Sequence, residues 1–461
     1  MNLPERVHLI GIGGTGMSSL ARYLLEEGLT VTGSDLSASD TTLELERRGA
    51  TVYIGHGEQN VNGAQLVVTS TAIGQDNPEL AQARAAGIPV VHRSEVWARI
   101  LNSGRGIAIA GAHGKTTVTA MLAWVLTHCG LDPSYLIGGE VAGLGSGHRG
   151  AGDIVVAEAD ESDGSFLRYR PWCTVITRIE PDHLEHYDGS FDELVSAYGA
   201  FLSHTKPEGF AVLCSDDPKV MQLAAQTTVP RVTYGLTPGG DFTAADIEQE
   251  GFRTAARVVR NGQVLGKLEL RVPGRHNVQN ALAVAAVCTR LGLSWDDIAP
   301  HLATYRGAKR RFEVVAEGNG LLVIDDYAHH PSEVRATLAA ARSGWPQRRI
   351  IAVFQPHRYA RTHFLLDEFA TSFADADHVV LTDIYAPAAE KPIPGTSGAR
   401  LAERVRSVVP EGVTVDFVPA RTDVAAHLRT VVRPGDVVVT MGAGDIWRTA
   451  REFVQAVGNP T

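Results

Sequence analysis

The chain has 461 residues, 44% of them hydrophobic, and a formal net charge of -10. Length and apolar content allow two to four domains, each with its own core. The acidic balance excludes a general polyanion-binding surface, so nucleic acid is not an expected partner and any phosphate recognition must come from local constellations.

The opening MNLPERVHLIGIGG runs straight into a strand without an apolar leader, and no apolar run reaches membrane-spanning length. Cys129, Cys173, Cys214 and Cys288 form no CxxC pair and suit reduced thiols. These features predict a cytoplasmic protein with no membrane insertion. From there, strand-length runs such as VHLIGIG, QLVVTS, GIAIAGA, DIVVAEA, CTVITRI, LLVIDD, RIIAVF, HVVLTD and DVVVTMG alternate with helical patterns, which predicts parallel α/β layers.

Gly11-Ile12-Gly13-Gly14-Thr15-Gly16 follows the first strand and opens a helix over Met17 to Glu27, in the GxGxxG pattern. The missing side chains permit a tight turn and leave helix N–H groups facing a diphosphate. Asp35 ends the next strand, where dinucleotide enzymes place a ribose carboxylate. Alone, the loop favours a nicotinamide enzyme over a purely structural turn. A UDP-sugar presents the same pyrophosphate, so the motif reports a nucleotide diphosphate without saying which.

The polar, glycine-rich stretch at Asn102 to Gly106 marks a domain boundary. Beyond it, Gly111-Ala112-His113-Gly114-Lys115-Thr116-Thr117 joins the strand GIAIA to the helix VTAMLAWVL. Ile109 stands where the full Walker spacing wants its first glycine, but Gly114-Lys115-Thr116 keeps the part the chemistry needs: N–H groups for phosphate, a lysine for the terminal phosphates and a hydroxyl for magnesium. The alternative is a turn with a solvated lysine. Two further strands of this region end in Glu158-Ala159-Asp160-Glu161-Ser162-Asp163 and Glu180-Pro181-Asp182-His183. By composition alone these are solvated loops. At the carboxyl ends of parallel strands they favour completing magnesium coordination. Short alternating segments between Val229 and Val272, including RVTYG, predict a small antiparallel excursion, and a second boundary falls near Arg306 to Arg310.

In order along the chain, HLIGIGGTGMSSLA, GSD, GAHGKTT, VAEADESDGSF, IEPDHLEHY, GRHNVQNALA, KRRFE, IDDYAHHPSEV, QPHRYART and VVTMGAGDIW resemble the Mur ligases over nearly the whole length. The resemblance implies three α/β domains: a Rossmann-like UDP-sugar-binding domain at 1–103, a central P-loop ATPase-like domain with a mostly parallel sheet at 104–308, and a Rossmann-like amino-acid-binding and closure domain at 309–461. It implies ATP and Mg2+, and a reaction in which ATP phosphorylates the lactyl carboxylate of UDP-N-acetylmuramate and the amine of L-alanine attacks the acyl phosphate. The setting is peptidoglycan precursor synthesis, and the protein is expected as a monomer or homodimer. A sister ligase that adds a recycled tripeptide to the same sugar nucleotide shares these loops and is the nearest rival. A nicotinamide dehydrogenase leaves the second phosphate loop unexplained, and a regulatory module without catalysis leaves Lys115, Thr116, Glu158 and His183 unexplained.

Residue by residue, the resemblance implies that Gly11, Gly13, Gly14, Thr15, Gly16 and Asp35 bind the UDP-sugar. Gly111, Ala112, His113, Gly114, Lys115, Thr116 and Thr117 bind ATP phosphates. Lys115 holds the transferred phosphate, Thr116 and Glu158 one magnesium, and His183 a second. His276, Asn277 and Asn280 line the adenine, although on local sequence they are equally a polar helix start. Arg311 reaches the terminal phosphate and Asp326 the ribose. His357, Arg358 and Arg361 receive the amino acid and substrate carboxylate, a task that suits the arginine fork. His329 and His330 are expected to pack and hydrogen-bond. Thr177-Arg178 departs from the family, which has asparagine after the threonine; Arg178 either pairs with Glu180 or Glu185 on the surface, the favoured alternative, or faces the site.

Overall fold

In the computed structural model, residues 3–318, 320–386 and 390–458 are described, and they build three sheets. The first contains β1 (Arg6–Ile10), β2 (Thr30–Asp35), β3 (Thr51–Ile54), β4 (Leu66–Thr69) and β5 (Val90–His92), all parallel in the order β3-β2-β1-β4-β5. The order reverses beside β1, so the topological switch point lies at the carboxyl end of that strand, where the first glycine loop begins.

The second sheet has ten strands, of which β6 (Arg105–Ala110), β7 (Ser134–Val141), β8 (Gly145–His148), β9 (Ile154–Glu158), β10 (Cys173–Ile176), β11 (Phe210–Cys214) and β12 (Arg231–Gly235) run in the order β12-β11-β10-β6-β9-β7-β8, with three further strands beyond β12. Pairings from β12 to β7 are parallel, and β8 is antiparallel to β7. The segment RVTYG, expected in an antiparallel excursion, is β12 and pairs in parallel with β11, because the helix Pro218–Gln226 carries the chain back across the sheet between them. The excursion proper is β13 (Phe242–Glu250), β14 (Arg253–Arg260) and β15 (Gln263–Leu270), joined by two-residue turns. Asn261 and Gly262 form the second turn with φ of 48° and 80°, as a type I′ hairpin turn requires.

The third sheet contains β16 (Glu313–Gly318), β17 (Leu321–Asp326), β18 (Ile350–Phe354), β19 (His378–Leu381), β20 (Thr414–Phe417) and β21 (Val437–Met441), in the order β16-β17-β21-β18-β19-β20. Only the β16–β17 pairing is antiparallel within it. Its central strands are apolar on both faces: Ile350, Ala352 and Phe354 enter one buried cluster, and Ile351 and Val353 the other. Continuous apolar runs of this kind are what a parallel sheet covered on both sides demands.

The chain divides into two compact units. One runs to Ala244 and adds Val258–Gly266 and Gln279–Leu302; the other takes Ala245–Arg257, Lys267–Val278 and the chain from Ala303 on. The division therefore passes through the β13–β15 excursion and through the helix Arg275–Arg290. Among the described residues no helix is long and apolar enough to cross a membrane.

Candidate active site

In the first unit, β1 gives way to a loop that turns on Gly11 at φ 77°. The N–H groups of Gly11 and Ile12 both donate to the Ser34 carbonyl, at 2.8 and 2.9 Å, and Gly13 N–H donates to Asp35 Oδ2 at 2.9 Å. Asp35 therefore orders the glycine loop itself, a bond that its expected place beside a ribose did not reveal. A Cβ on Gly13 would come within 2.9 Å of that oxygen, and one on Gly16 within 2.7 Å of the Arg93 guanidinium. Arg93 reaches over Gly16 and stands 3.7 Å from Asp160. It is a cation at the first glycine loop that no local motif announced. Gly14 caps the helix Thr15–Glu26, which leaves the first N–H groups of that helix facing outward.

The second loop follows β6. Gly111 has φ 135°, and a Cβ there would lie 2.0 Å from Thr177 Oγ1. That hydroxyl donates to His113 O at 2.5 Å, and Ala112 N–H donates to Arg178 O at 2.8 Å. The segment after β10 thus clasps the second glycine loop. Gly114, at φ 83°, starts the helix Lys115–His128 with its N–H groups free of any side-chain cap, and Asn280 Oδ1 lies 2.8 Å from where a Gly114 Cβ would stand.

Lys115 Nζ donates to both oxygens of Glu161, at 2.7 and 2.8 Å, and to Gly111 O at 2.6 Å. Burial alone would lower its pKa, but Glu161 and Asp160 hold it above its ordinary value, so the ammonium stays charged. The same burial pushes the Glu161 carboxyl up against the pull of Lys115. Tyr187 Oη donates to Glu161 O at 2.5 Å, fixing the acidic loop from the far side. Thr116 Oγ1 donates to Glu158 Oε2 at 3.2 Å, and the other Glu158 oxygen takes the Gly138 N–H. Two hard oxygen donors with preset orientation meet there, a donor set that fits magnesium.

His183 opens the short turn Leu184–His186 at φ 56°, with Asp182 at 3.6 Å and Glu185 at 3.8 Å. Among the expected magnesium ligands, the structure joins Thr116 and Glu158 directly. His113 Nε2 lies 2.9 Å from Glu180, whose other oxygen is 2.6 Å from Arg178 Nε. Arg178 is 56% exposed, in keeping with the surface pairing.

In the second unit, Asp326 ends β17 and accepts N–H groups from Phe312 and Ala328, at 2.8 and 2.7 Å. It therefore shapes the segment that carries Arg311, whose guanidinium lies over Tyr327 at 5.2 Å and 3.8 Å from Glu333. Burial holds the Asp326 carboxyl up at about 6. His276 is driven down to about 4, first by burial and then by Arg311, and Asn277 Nδ2 donates to Pro273 O at 2.7 Å. Arg310 binds Asp325 at 3.0 Å and donates to Gly442 O at 2.5 Å, fixing the start of the same segment. His329 and His330 hydrogen-bond locally as expected, to Tyr327 O and Ser332 Oγ.

Arg358 has φ 70°, a strained value for a residue with a side chain. Its N–H donates to Tyr385 O at 2.9 Å, and His357 stacks on Tyr385 with ring centroids 5.9 Å apart. The buried Arg361 donates from Nη1 to His357 Nδ1 at 3.3 Å. Three groups expected to receive carboxylates are thus brought together at the carboxyl end of β18.

Three family models match in succession: the Mur ligase family catalytic domain over residues 6–105, the Mur ligase middle domain over 109–288, and the Mur ligase glutamate ligase domain over 310–444. The UDP-N-acetylmuramate–L-alanine ligase of Trichlorobacter lovleyi is 46% identical over 98% of both chains. The protein of the same name from Symbiobacterium thermophilum is 48% identical over 98% of this chain and 95% of its own. Among solved structures, the UDP-N-acetylmuramate–alanine ligase of Thermotoga maritima superposes with a TM-score of 0.84 at 31% identity, covering 98% and 99% of the two chains. A murein peptide ligase from Psychrobacter arcticus gives 0.72 at 26% identity, covering 99% and 100%.

Proposed function

The chain belongs to the Mur ligase family, and on that premise we propose that it joins the amine of L-alanine to the lactyl carboxylate of UDP-N-acetylmuramate, converting ATP to ADP and phosphate, in peptidoglycan precursor synthesis. The observation that carries the reading is the loop at Gly111 to Thr116, where a charged Lys115 is poised on Glu161 beside the Thr116–Glu158 oxygen pair. Identity of 46% and 48% over nearly full length to ligases named for L-alanine favours that amine over a tripeptide.

A carboxylate is a poor electrophile until one oxygen becomes a phosphate leaving group. The lactyl oxygen attacks the terminal phosphorus and displaces ADP. The alanine amine then adds to the acyl carbon, the C–O bond to phosphate breaks and the amine gives up its proton. Two anions meet in the first step, so cationic groups must screen them. Lys115 exchanges Glu161 for the transferred phosphoryl oxygens, and Arg311 is the further cation that the family resemblance assigns to that phosphate. Thr116 and Glu158 would hold one magnesium ion and His183 a second, and such ions would supply positive charge to phosphate oxygens.

The N–H groups of Gly111, His113, Gly114 and Thr117 receive the phosphates, while Ala112, its own N–H held by Arg178 O, lines the same loop, with His276, Asn277 and Asn280 about the adenine. Asp326 keeps lone pairs for the ribose beyond the two it gives the backbone. The loop from Gly11 to Gly16, with Asp35, takes the UDP-sugar, and His357, Arg358 and Arg361 take the amino acid and carboxylate. We place the domain limits at 1–103, 104–308 and 309–461, and the protein in the cytoplasm with its nucleotide substrates. ADP release with UDP-N-acetylmuramate, ATP, magnesium and either L-alanine or tripeptide tests the reading. Release with L-alanine supports it, and release with the tripeptide alone overturns it.

A further inference from the structure

At the outer edge of the third sheet, far along the strands from Asp326 and His357, three ligand-type side chains converge. Parallel pairing sets Val380 of β19 opposite Asp416 of β20. Side chains two residues apart share a face, so His378, two residues before Val380, points to the same side as Asp416. The helix Arg421–Val431 covers that face with Val424 and Leu428, and His427 comes down beside them. The Nε2 atoms of His378 and His427 each lie 2.8 Å from one oxygen, Asp416 Oδ2. The three ligand atoms all fall within 4.8 Å of one another.

We propose that His378, Asp416 and His427 form a binding site for a divalent cation of the zinc class, a structural clip separate from the ligase chemistry. Two imidazoles and a carboxylate are the donors such ions select, and a fourth position left to water completes a tetrahedron. Bonds of about 2.0 to 2.2 Å imply donors about 3.4 Å apart, so the observed 2.8 Å separations need to open by only about half an ångström. His378 is 7% exposed and anchors the inner side, whereas Asp416 and His427, at 32% and 28%, leave an outer side for water. In the hydrogen-bonded form each ring donates its Nε2 proton to Asp416. Metal binding moves each proton to Nδ1, a change of tautomer without net proton release, and the single negative charge partly offsets the cation.

β20 is an edge strand, and such strands carry unpaired backbone groups along one side. The site would tie this strand to its neighbour and to the helix above it. His378 opens β19, at the amino end of the strand, whereas the groups expected in catalysis lie at carboxyl ends. Loss of the clip therefore changes stability and metal content, not the chemical step.

The full-length protein, freed of metal by chelation, is titrated with zinc by calorimetry and with cobalt by visible absorption, beside His427→Gln, Asp416→Asn and Glu158→Gln. One equivalent of zinc binds the unmodified protein and Glu158→Gln alike. Its affinity falls by about tenfold or more in His427→Gln and Asp416→Asn, the scale on which lost partners act at metal sites. The cobalt form shows d–d bands without a thiolate charge-transfer band. Zinc raises the melting temperature of the unmodified protein and not of His427→Gln, whose magnesium-dependent turnover stays within twofold. Should Asp416→Asn fail to fold, the partly exposed helical position in His427→Gln decides. No zinc uptake by the folded protein, or undiminished uptake in His427→Gln, overturns the proposal and leaves the trio a hydrogen-bonded cross-link.

Discussion

Replacing Asp326 by Asn removes a carboxyl that is 7% exposed and bound by the N–H groups of Phe312 and Ala328. Burial outweighs Arg311 and these two bonds and holds its pKa at about 6, against an ordinary 3.8. The folded state therefore binds this proton more tightly than the unfolded chain does. The associated stability is fully present below 3.8 and is lost as pH rises through about 6. That gap corresponds to about 3 kcal/mol, of which about 2 kcal/mol falls between about pH 4.5 and about pH 7. Asn does not titrate, and its altered hydrogen bonds shift the comparison by an amount independent of pH. Urea denaturation of both proteins at the two pH values should show the stability difference moving about 2 kcal/mol in favour of Asp326→Asn at the higher pH. A difference that stays constant, or moves the other way, would refute the assignment of a dry, proton-holding carboxyl at this position.

Three further outcomes follow from the first unit. Lys115→Ala should lose turnover by about a thousandfold or more while circular dichroism stays native, because the ammonium screens charge that develops only in phosphoryl transfer; near-normal rates in the folded variant would sink the role. Gly111→Ala places a Cβ 2.0 Å from Thr177 Oγ1 at φ 135°, and the forced shift should cost about 1–3 kcal/mol and lower ADP release at least tenfold. Unchanged kinetics would show that the loop tolerates displacement. Arg178→Asn breaks a pair with Glu180 on a 56% exposed side chain, a contact worth at most about 1 kcal/mol. Turnover should stay within a few-fold with an equal or lower magnesium requirement, and a collapse at saturating magnesium would place Arg178 in the catalytic site.

The parallel strands were legible because they are short apolar runs bounded by glycine loops, and VHLI, GIAIA, IVVAE, LLVIDD and VVVTM all fall in strands. The loop glycines were legible for the same local reason. Which acidic residue meets Lys115 was not. Asp160 and Glu161 are adjacent in sequence, and only the bend after β9, held by Tyr187, turns Glu161 onto the ammonium. Arg93 approaches Gly16 across 77 residues, a contact set by packing and not by any motif. The bond from Gly13 to Asp35 joins two residues that were each singled out, but spacing does not say that one orders the other. RVTYG misled because alternation marks a half-buried strand without fixing its direction, which the intervening helix decides. The trio His378, Asp416 and His427 depends on strand register and a covering helix, neither of which a single sequence specifies.

The claim most directly open to measurement is that the lactyl carboxylate is activated by phosphoryl transfer at the Lys115 loop. UDP-N-acetylmuramate labelled with oxygen-18 in that carboxylate, turned over with ATP, magnesium and L-alanine, should pass one labelled oxygen to inorganic phosphate and yield ADP, with label retained in the new amide carbonyl. Unlabelled phosphate, or label appearing in AMP with release of pyrophosphate, would contradict it.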